Sequence, residues 1–271
     1  MMRGGFRFLT AYVAAYLLFL YAPVLLLPIF AFNDSRVVAF PLQGFTLDWF
    51  RLLLETEPLH AATRNSLIVA SVAAFLSTAM GLCAARAATR HSFAGKKGIM
   101  GLIMVPLVLP EIIVGVSLLV VILQAGFNLN LWSIILGHVL ICTPFCTVIL
   151  STAFSNLDRN LEEAAIDLGE TKLTTFRRVI LPLVMPGIMA SILIAFTISL
   201  DEFIIAFFLS GTETTLPVYI WSQLRFPARL PSVMALGTVL LAISLILLVS
   251  AEYLRRRASD RSAAANAGGN F

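Results

Sequence analysis

The stretch Leu157-Asp158-Arg159-Asn160-Leu161-Glu162-Glu163-Ala164-Ala165-Ile166-Asp167-Leu168-Gly169-Glu170 decides the reading of this chain. It belongs to a segment, residues 156–178, that carries nine charged side chains between two long apolar runs. Leu157, Leu161, Ala164 or Ala165, and Leu168 nevertheless recur at helical spacing. Asp158 is placed to cap such a helix, whose first turn carries Glu162. Gly169 supplies the stop, because glycine tolerates the left-handed turn that follows a helix. The expectation is a short helix lying along a membrane surface, with a narrow stripe of small and apolar residues. Glu163, Ala164, Ala165 and Gly169 would let it sit deep in a groove of another protein. On spacing alone, a helix that merely closes the loop fits as well.

Outward from this segment the chain is apolar. Six runs are long enough to be spanning helices: residues 9–32, 65–88, 98–124, 131–155, 183–210 and 232–253. A span needs roughly 20 apolar residues. The runs are too uniformly apolar for barrel strands, which alternate in steps of two. Prolines interrupt several of them, at Pro23, Pro28, Pro106, Pro110, Pro144 and Pro186. Such breaks persist in a bilayer where neighbours re-satisfy the freed backbone groups, which points to a packed bundle with a cavity. The first run follows Arg3 and Arg7 as a signal peptide would, but it is too long for one, so it reads as an uncleaved helix.

Composition agrees. The 271 residues are 59% apolar and 13% charged, with a mean hydropathy of +0.92. Soluble domains carry about 25% charged residues, so too little polar surface remains to coat a soluble globule. The net charge of +4 reads as topology rather than as a nucleic-acid footprint. With the N-terminus in the cytoplasm, 14 of the 19 Lys and Arg residues fall on the cytoplasmic side and five outside. Both termini are therefore expected in the cytoplasm. Cys83, Cys142 and Cys146 lie in apolar stretches and read as small core residues.

The run Glu163-Ala164-Ala165 with Gly169, followed by Phe176, Ile180, Leu181 and Pro182, resembles the EAA loop of ABC-importer permeases. The resemblance implies an all-α membrane protein with the six-helix type I importer permease fold, and it covers residues 61–253. Residues 1–60 would form a first transmembrane helix and outer loop. Residues 61–253 would form a five-helix core, with the coupling helix at about 158–170. Residues 254–271 would be a basic cytoplasmic tail without regular structure. The same resemblance implies a second permease subunit, homologous but different, and an ABC ATPase dimer into which Glu163, Ala164, Ala165 and Gly169 dock. It also implies an extracytoplasmic substrate-binding protein and a place in the bacterial inner membrane. ATP and Mg would belong to the ATPase, and this chain would be no enzyme. Its only Gly-Lys step, Gly95-Lys96, lacks the flanking residues of a phosphate loop.

Three acids sit inside apolar runs: Glu111, Asp201 and Glu202. An ionised acid costs roughly 2.5–3.5 kcal/mol near a helix centre. No Lys or Arg shares their apolar depth, and His138 is the one basic candidate in the chain. These acids are then protonated, paired with a neighbouring chain, or available to a cation. On a continuous helix adjacent residues point about 100° apart, so Asp201 is assigned to the pathway and Glu202 to packing or hydrogen bonding. Buried acids satisfied by neighbouring hydroxyls or a partner chain are the competing reading. The stretches Pro110-Glu111-Ile112-Ile113, Gly115, Ser117-Leu118-Leu119 and Ser199-Leu200-Asp201-Glu202-Phe203 are similar to the polyamine branch of the family. So are Tyr21-Ala22-Pro23, Phe32-Asn33, Ser210-Gly211 and Thr215-Leu216-Pro217. This implies putrescine or spermidine as cargo, against another small amine, an opine or a compatible solute. Phe203, Tyr219 and Trp221 can hold an ammonium by cation–π contact, although aromatics at that depth commonly form the interfacial belt.

His138, Cys142 and Cys146 are spaced by four, as metal ligands can be. On an apolar helix broken by Pro144 they read as core, and no metal site is assigned. A membrane-embedded enzyme using the acids and His138 is the reading from another class; it would have no use for the Glu-Ala-Ala-Gly loop.

Overall fold

The computed structural model describes residues 2–267, with side chains described for residues 9–246 and for 249 and 250. The described residues form helices in chain order, without sheet: α1 (Met2–Ala31), α2 (Asp48–Glu55), α3 (Glu57–Arg90), α4 (Lys96–Val108), α5 (Glu111–Gln124) and α6 (Leu131–Ser155). They continue with α7 (Arg159–Asp167), α8 (Lys172–Thr175), a π-helical turn (Phe176–Ile180), α9 (Leu181–Asp201) and α10 (Ile204–Leu209). The chain ends with α11 (Leu216–Leu224), a 3-10 turn (Pro227–Arg229) and α12 (Leu230–Ala267). Helices are the form in which an apolar chain satisfies its own backbone where lipid offers no hydrogen bonds.

Among the described residues, five helical stretches are long and apolar enough to cross a bilayer: Leu9–Ala31, Glu57–Arg90, Leu131–Ser155, Lys172–Asp201 and Pro227–Ile246. The sixth expected span, residues 98–124, is not one rod. It is the pair α4 and α5, bent by 109°. The cause is Pro110, which lacks an N–H and forces the residue before it out of helical geometry. Leu109 accordingly adopts φ −79°, ψ 140°, and Pro110 φ −57°, ψ 130°. The run expected as 183–210 also divides. α9 stops at Asp201, Glu202 is extended (φ −67°, ψ 117°), and α10 restarts at Ile204.

The chain forms two compact units. One holds the residues up to Glu57 together with those from Ile220 onward, and the other holds Pro58–Tyr219. In the first, α12 packs along α1 and against α2; in the sequence α12 is grouped with residues 61–253. The turn after α1 is fastened by Asn33, whose Oδ1 accepts from Gln43 N at 2.9 Å and whose carbonyl accepts from Trp49 Nε1 at 2.9 Å. Phe32 stacks on Phe45 across the same turn, with ring centroids 5.3 Å apart. α12 keeps helical backbone through Ala267, so the tail expected to lack regular structure is helical as far as it is described. Its run Ala263-Ala264-Ala265 is made of the best helix former. Residues 268–271 lie outside the described part.

The second unit is built around α6, which is buried along most of its length and packs on α9 and α10. Close approach needs small residues, as in membrane bundles generally. A Cβ at Gly81 would stand 2.6 Å from Cys146 Cβ. Cys142 and Cys146 are fully buried, but Cys83 is exposed, contrary to its reading as a core residue. Ser77, Thr78, Gly81 and Ala85 mark the buried face of α3, and Cys83 lies on the other side of the helix.

Candidate functional site

α7 forms where the loop sequence places it. Asp158 Oδ1 accepts from Asn160 N at 3.0 Å and caps the first turn. At the other end Gly169 has φ +89°, the left-handed region glycine reaches without a Cβ penalty. Glu170 N donates to Ala165 O (3.1 Å) and Gly169 N to Ile166 O (2.9 Å), the paired closing bonds of a Schellman stop. Ala165 is buried against the unit, whereas Glu163 and Ala164 face outward. The helix therefore presents Glu163 and Ala164 on one side while its small residue sits on the core.

Two basic residues, Arg90 and Arg159, hold α7 in place, and neither is marked by local spacing. Arg90 Nε and Glu162 Oε1 form a 3.0 Å ion pair with side chains 8% and 20% exposed. Arg90 Nη2 also donates to Leu157 O at 2.9 Å. Arg159 Nη2 donates to Thr89 O at 3.0 Å. Arg86 lies over the Phe176 ring at 4.4 Å, a cation–π contact. The C-terminal end of α3 is thus tied to the first turn of α7 and to the π-helical turn. Beyond the stop, Glu170 pairs with Arg178 at 3.0 Å. The Thr174 hydroxyl first, and then the Arg178 guanidinium, hold the Glu170 carboxyl below its usual range.

The three membrane acids fall at the two helix breaks. Glu111 opens α5 directly after Pro110, Asp201 closes α9, and Glu202 occupies the gap before α10. α10 packs on α5, with Phe208 and Ile205 against Gly115. Glu111 and Asp201 both lie within electrostatic reach of the Glu202 carboxylate. The break changes the relation between the two neighbouring acids. They do not share a continuous helix, so the 100° rule does not apply to them. Asp201 is exposed on the single chain, as is Glu111, while Glu202 is buried and its Oε1 accepts from Ile205 N at 2.9 Å. Glu202 therefore does for α10 what a capping side chain does: it takes up a first-turn donor.

Around this cluster Phe203 packs against Phe207 with ring centroids 5.5 Å apart. Tyr219 and Trp221 stand on α11; Tyr219 belongs to the second unit and Trp221 to the first. Asn65 Nδ2 donates to Thr214 O at 3.1 Å, and Ser66 Oγ accepts from Leu216 N at 2.7 Å, fixing the start of α11 to α3. His138 sits fully buried on α6 with Nδ1 2.7 Å from Ser199 Oγ, two residues before Asp201. Its hydrogen bond goes to a hydroxyl rather than to an acid.

Residues 77–260 match the family model described as the inner membrane component of binding-protein-dependent transport systems. The chain belongs to this family. Among relatives of this transport component is the spermidine/putrescine transport system permease protein PotC of Escherichia coli strain K12. It is 35% identical over 257 residues, spanning 94% of each chain. The putrescine transport system permease protein PotI of the same strain is 38% identical over 251 residues, 90% of this chain and 89% of the relative. A solved bacterial alginate ABC transporter, in complex with a periplasmic protein bound to an alginate pentasaccharide, shares the fold. Its TM-score is 0.72, with 93% of each chain covered and 20% identity.

Proposed function

We propose that this chain is the membrane-spanning permease subunit of an ATP-driven, binding-protein-dependent importer whose cargo is a polyamine, putrescine or spermidine. The observation that carries the substrate class is the grouping of Glu111, Asp201 and Glu202 at two helix breaks. Two of these carboxylates are exposed on the single chain. A polyamine loses water from several ammonium groups on entering a bilayer, and fixed carboxylates offset that cost. Glu111 and Asp201 would line the path and Glu202 would shape it. Phe203 and Tyr219 would add ring faces for the same ammonium groups. The similarity to permeases named for spermidine and putrescine supports this reading.

In this proposal α7 is the coupling helix. Glu163, Ala164 and Gly169, all exposed, dock on a separate ABC ATPase dimer, which binds ATP and Mg and performs the hydrolysis; Ala165, expected from the sequence among the docking residues, instead seats the helix on the chain's own core. A second permease subunit completes the path, and an extracytoplasmic binding protein delivers the cargo. The chain would span the bacterial inner membrane with both termini in the cytoplasm, as the 14-to-5 division of its basic residues suggests. The Arg90–Glu162 pair would carry displacement of α7 into α3.

The test is initial uptake of radiolabelled putrescine and spermidine by cells with the gene present or deleted, in a strain lacking other polyamine importers. A panel of unlabelled amines, opines and compatible solutes competes. Loss of uptake on deletion, competed by polyamines alone, is the expected result. Unchanged uptake would move the cargo to another member of the panel.

A further inference from the structure

A cavity of about 230 Å³ opens between the end of α3, α7 and α8. None of Glu111, Asp201 or Glu202 lines it. Its walls carry Arg86, Arg90, Arg159 and Lys172 against Glu162 and Glu163, four cationic side chains against two carboxylates. Glu162 is taken by Arg90, so one carboxylate faces three remaining cations. Arg86 spends the face of its guanidinium on Phe176. Its Nη1 is buried and has no hydrogen-bond partner among the described residues. Thr175 also lines the cavity, is 2% exposed, and its Oγ1 likewise lacks a partner.

Buried donors without acceptors cost stability, and buried cations call for an anion. The volume lies below the roughly 300–1,000 Å³ of pockets for drug-sized ligands, which suits a small anion. Guanidinium forks, a hydroxyl and a lysine are the donor set that phosphate oxygens accept from. We propose that this cavity binds a phosphate group, held by Arg86 and Lys172 with the Thr175 hydroxyl as a further donor. The group comes either from free inorganic phosphate or from the headgroup of an anionic phospholipid. Because α7 forms one wall, occupancy braces α7 against α3. This site does not depend on which cargo the chain carries.

The test is thermal unfolding of the purified full chain. In neutral detergent, inorganic phosphate is titrated against chloride at constant ionic strength. In parallel, the chain is placed in nanodiscs of phosphatidylcholine with or without phosphatidylglycerol. A rise in Tm with phosphate identifies the free anion, and a rise with phosphatidylglycerol alone identifies the lipid headgroup. Lys172→Gln, at an exposed position where the fold is insensitive, weakens the effective arm roughly tenfold. Arg86→Gln and Thr175→Val weaken it as well, each read against its own Tm in chloride. No rise in either arm, or a rise unchanged in Lys172→Gln, overturns the proposal.

Discussion

Arg90 on α3 and Glu162 on α7 meet at 3.0 Å, largely sheltered from solvent. The pair joins the end of a spanning helix to a nine-residue helix that has only one buried side chain, Ala165. A helix of that length is not stable by itself in water. Its position depends on what ties it down, and the ties are the bonds of Arg90 and Arg159. Arg90→Ala should therefore cost about 1–3 kcal/mol, between the values of exposed and buried pairs. It should also lower transport per ATP hydrolysed. A double-mutant cycle with Glu162→Ala checks it: the second substitution should add little to the first.

Gly169→Val should uncouple transport while the chain still accumulates in the membrane. A side chain at φ +89° costs about 1–2 kcal/mol, and a β-branched one more. Glu163→Lys should also uncouple, through an exposed side chain on the outward side of α7. Uptake and ATPase rates of the assembled transporter, beside the amount of chain in membranes, separate these effects. Normal uptake in both variants would remove α7 from coupling.

Asp201→Asn should lower the initial rate of diamine uptake at least tenfold, a loss of about 1.4 kcal/mol in the barrier, with membrane insertion unchanged. An unchanged initial rate would take Asp201 out of the path.

Glu202 gives a different signature. Glu202→Ala removes the acceptor for Ile205 N and should cost about 0.5–2 kcal/mol, as lost caps do. Glu202→Gln keeps an acceptor oxygen and should hold most of that stability. Thermal unfolding of both variants in detergent checks the difference.

Glu170 sets a small acid limb. Its carboxyl is held below the ordinary glutamate range in the folded chain, first by the Thr174 hydroxyl and then by Arg178. The unfolded carboxyl therefore binds its proton first as pH falls. The stabilisation is fully present above about 4.5 and is lost as pH drops through the lower folded value. The group is exposed to solvent, so the change in Tm is small. Comparison of wild type with Glu170→Gln from pH 7 to pH 3.5 should show a difference that closes at the acid end.

α7 was legible in the sequence because its signals are local: Asp158 at one end, Gly169 at the other, and apolar residues at helical spacing between. The range of α6 was legible because nothing interrupts it; Pro144 is absorbed within the helix. The bend at Pro110 was not, since a proline inside an apolar run breaks one helix and is tolerated in another. The decision rests with neighbours that can or cannot re-satisfy the backbone. The stop at Asp201 has no breaker residue at all. It depends on Glu202 turning its carboxylate onto Ile205 N, a choice a string of residues does not display. The clamp on α7 was equally hidden, because Arg90, Arg159 and Thr89 meet only through the packing of distant segments.

The central claim is that this chain, with an ATPase and a binding protein, moves polyamines. The most direct measurement is radiolabelled putrescine accumulation in proteoliposomes. These would contain the complete transporter, a cargo-loaded binding protein and ATP. The account predicts ATP-dependent accumulation that falls at least tenfold with Asp201→Asn and is abolished by Gly169→Val. ATP hydrolysis stimulated by the binding protein without any putrescine or spermidine accumulation would contradict it.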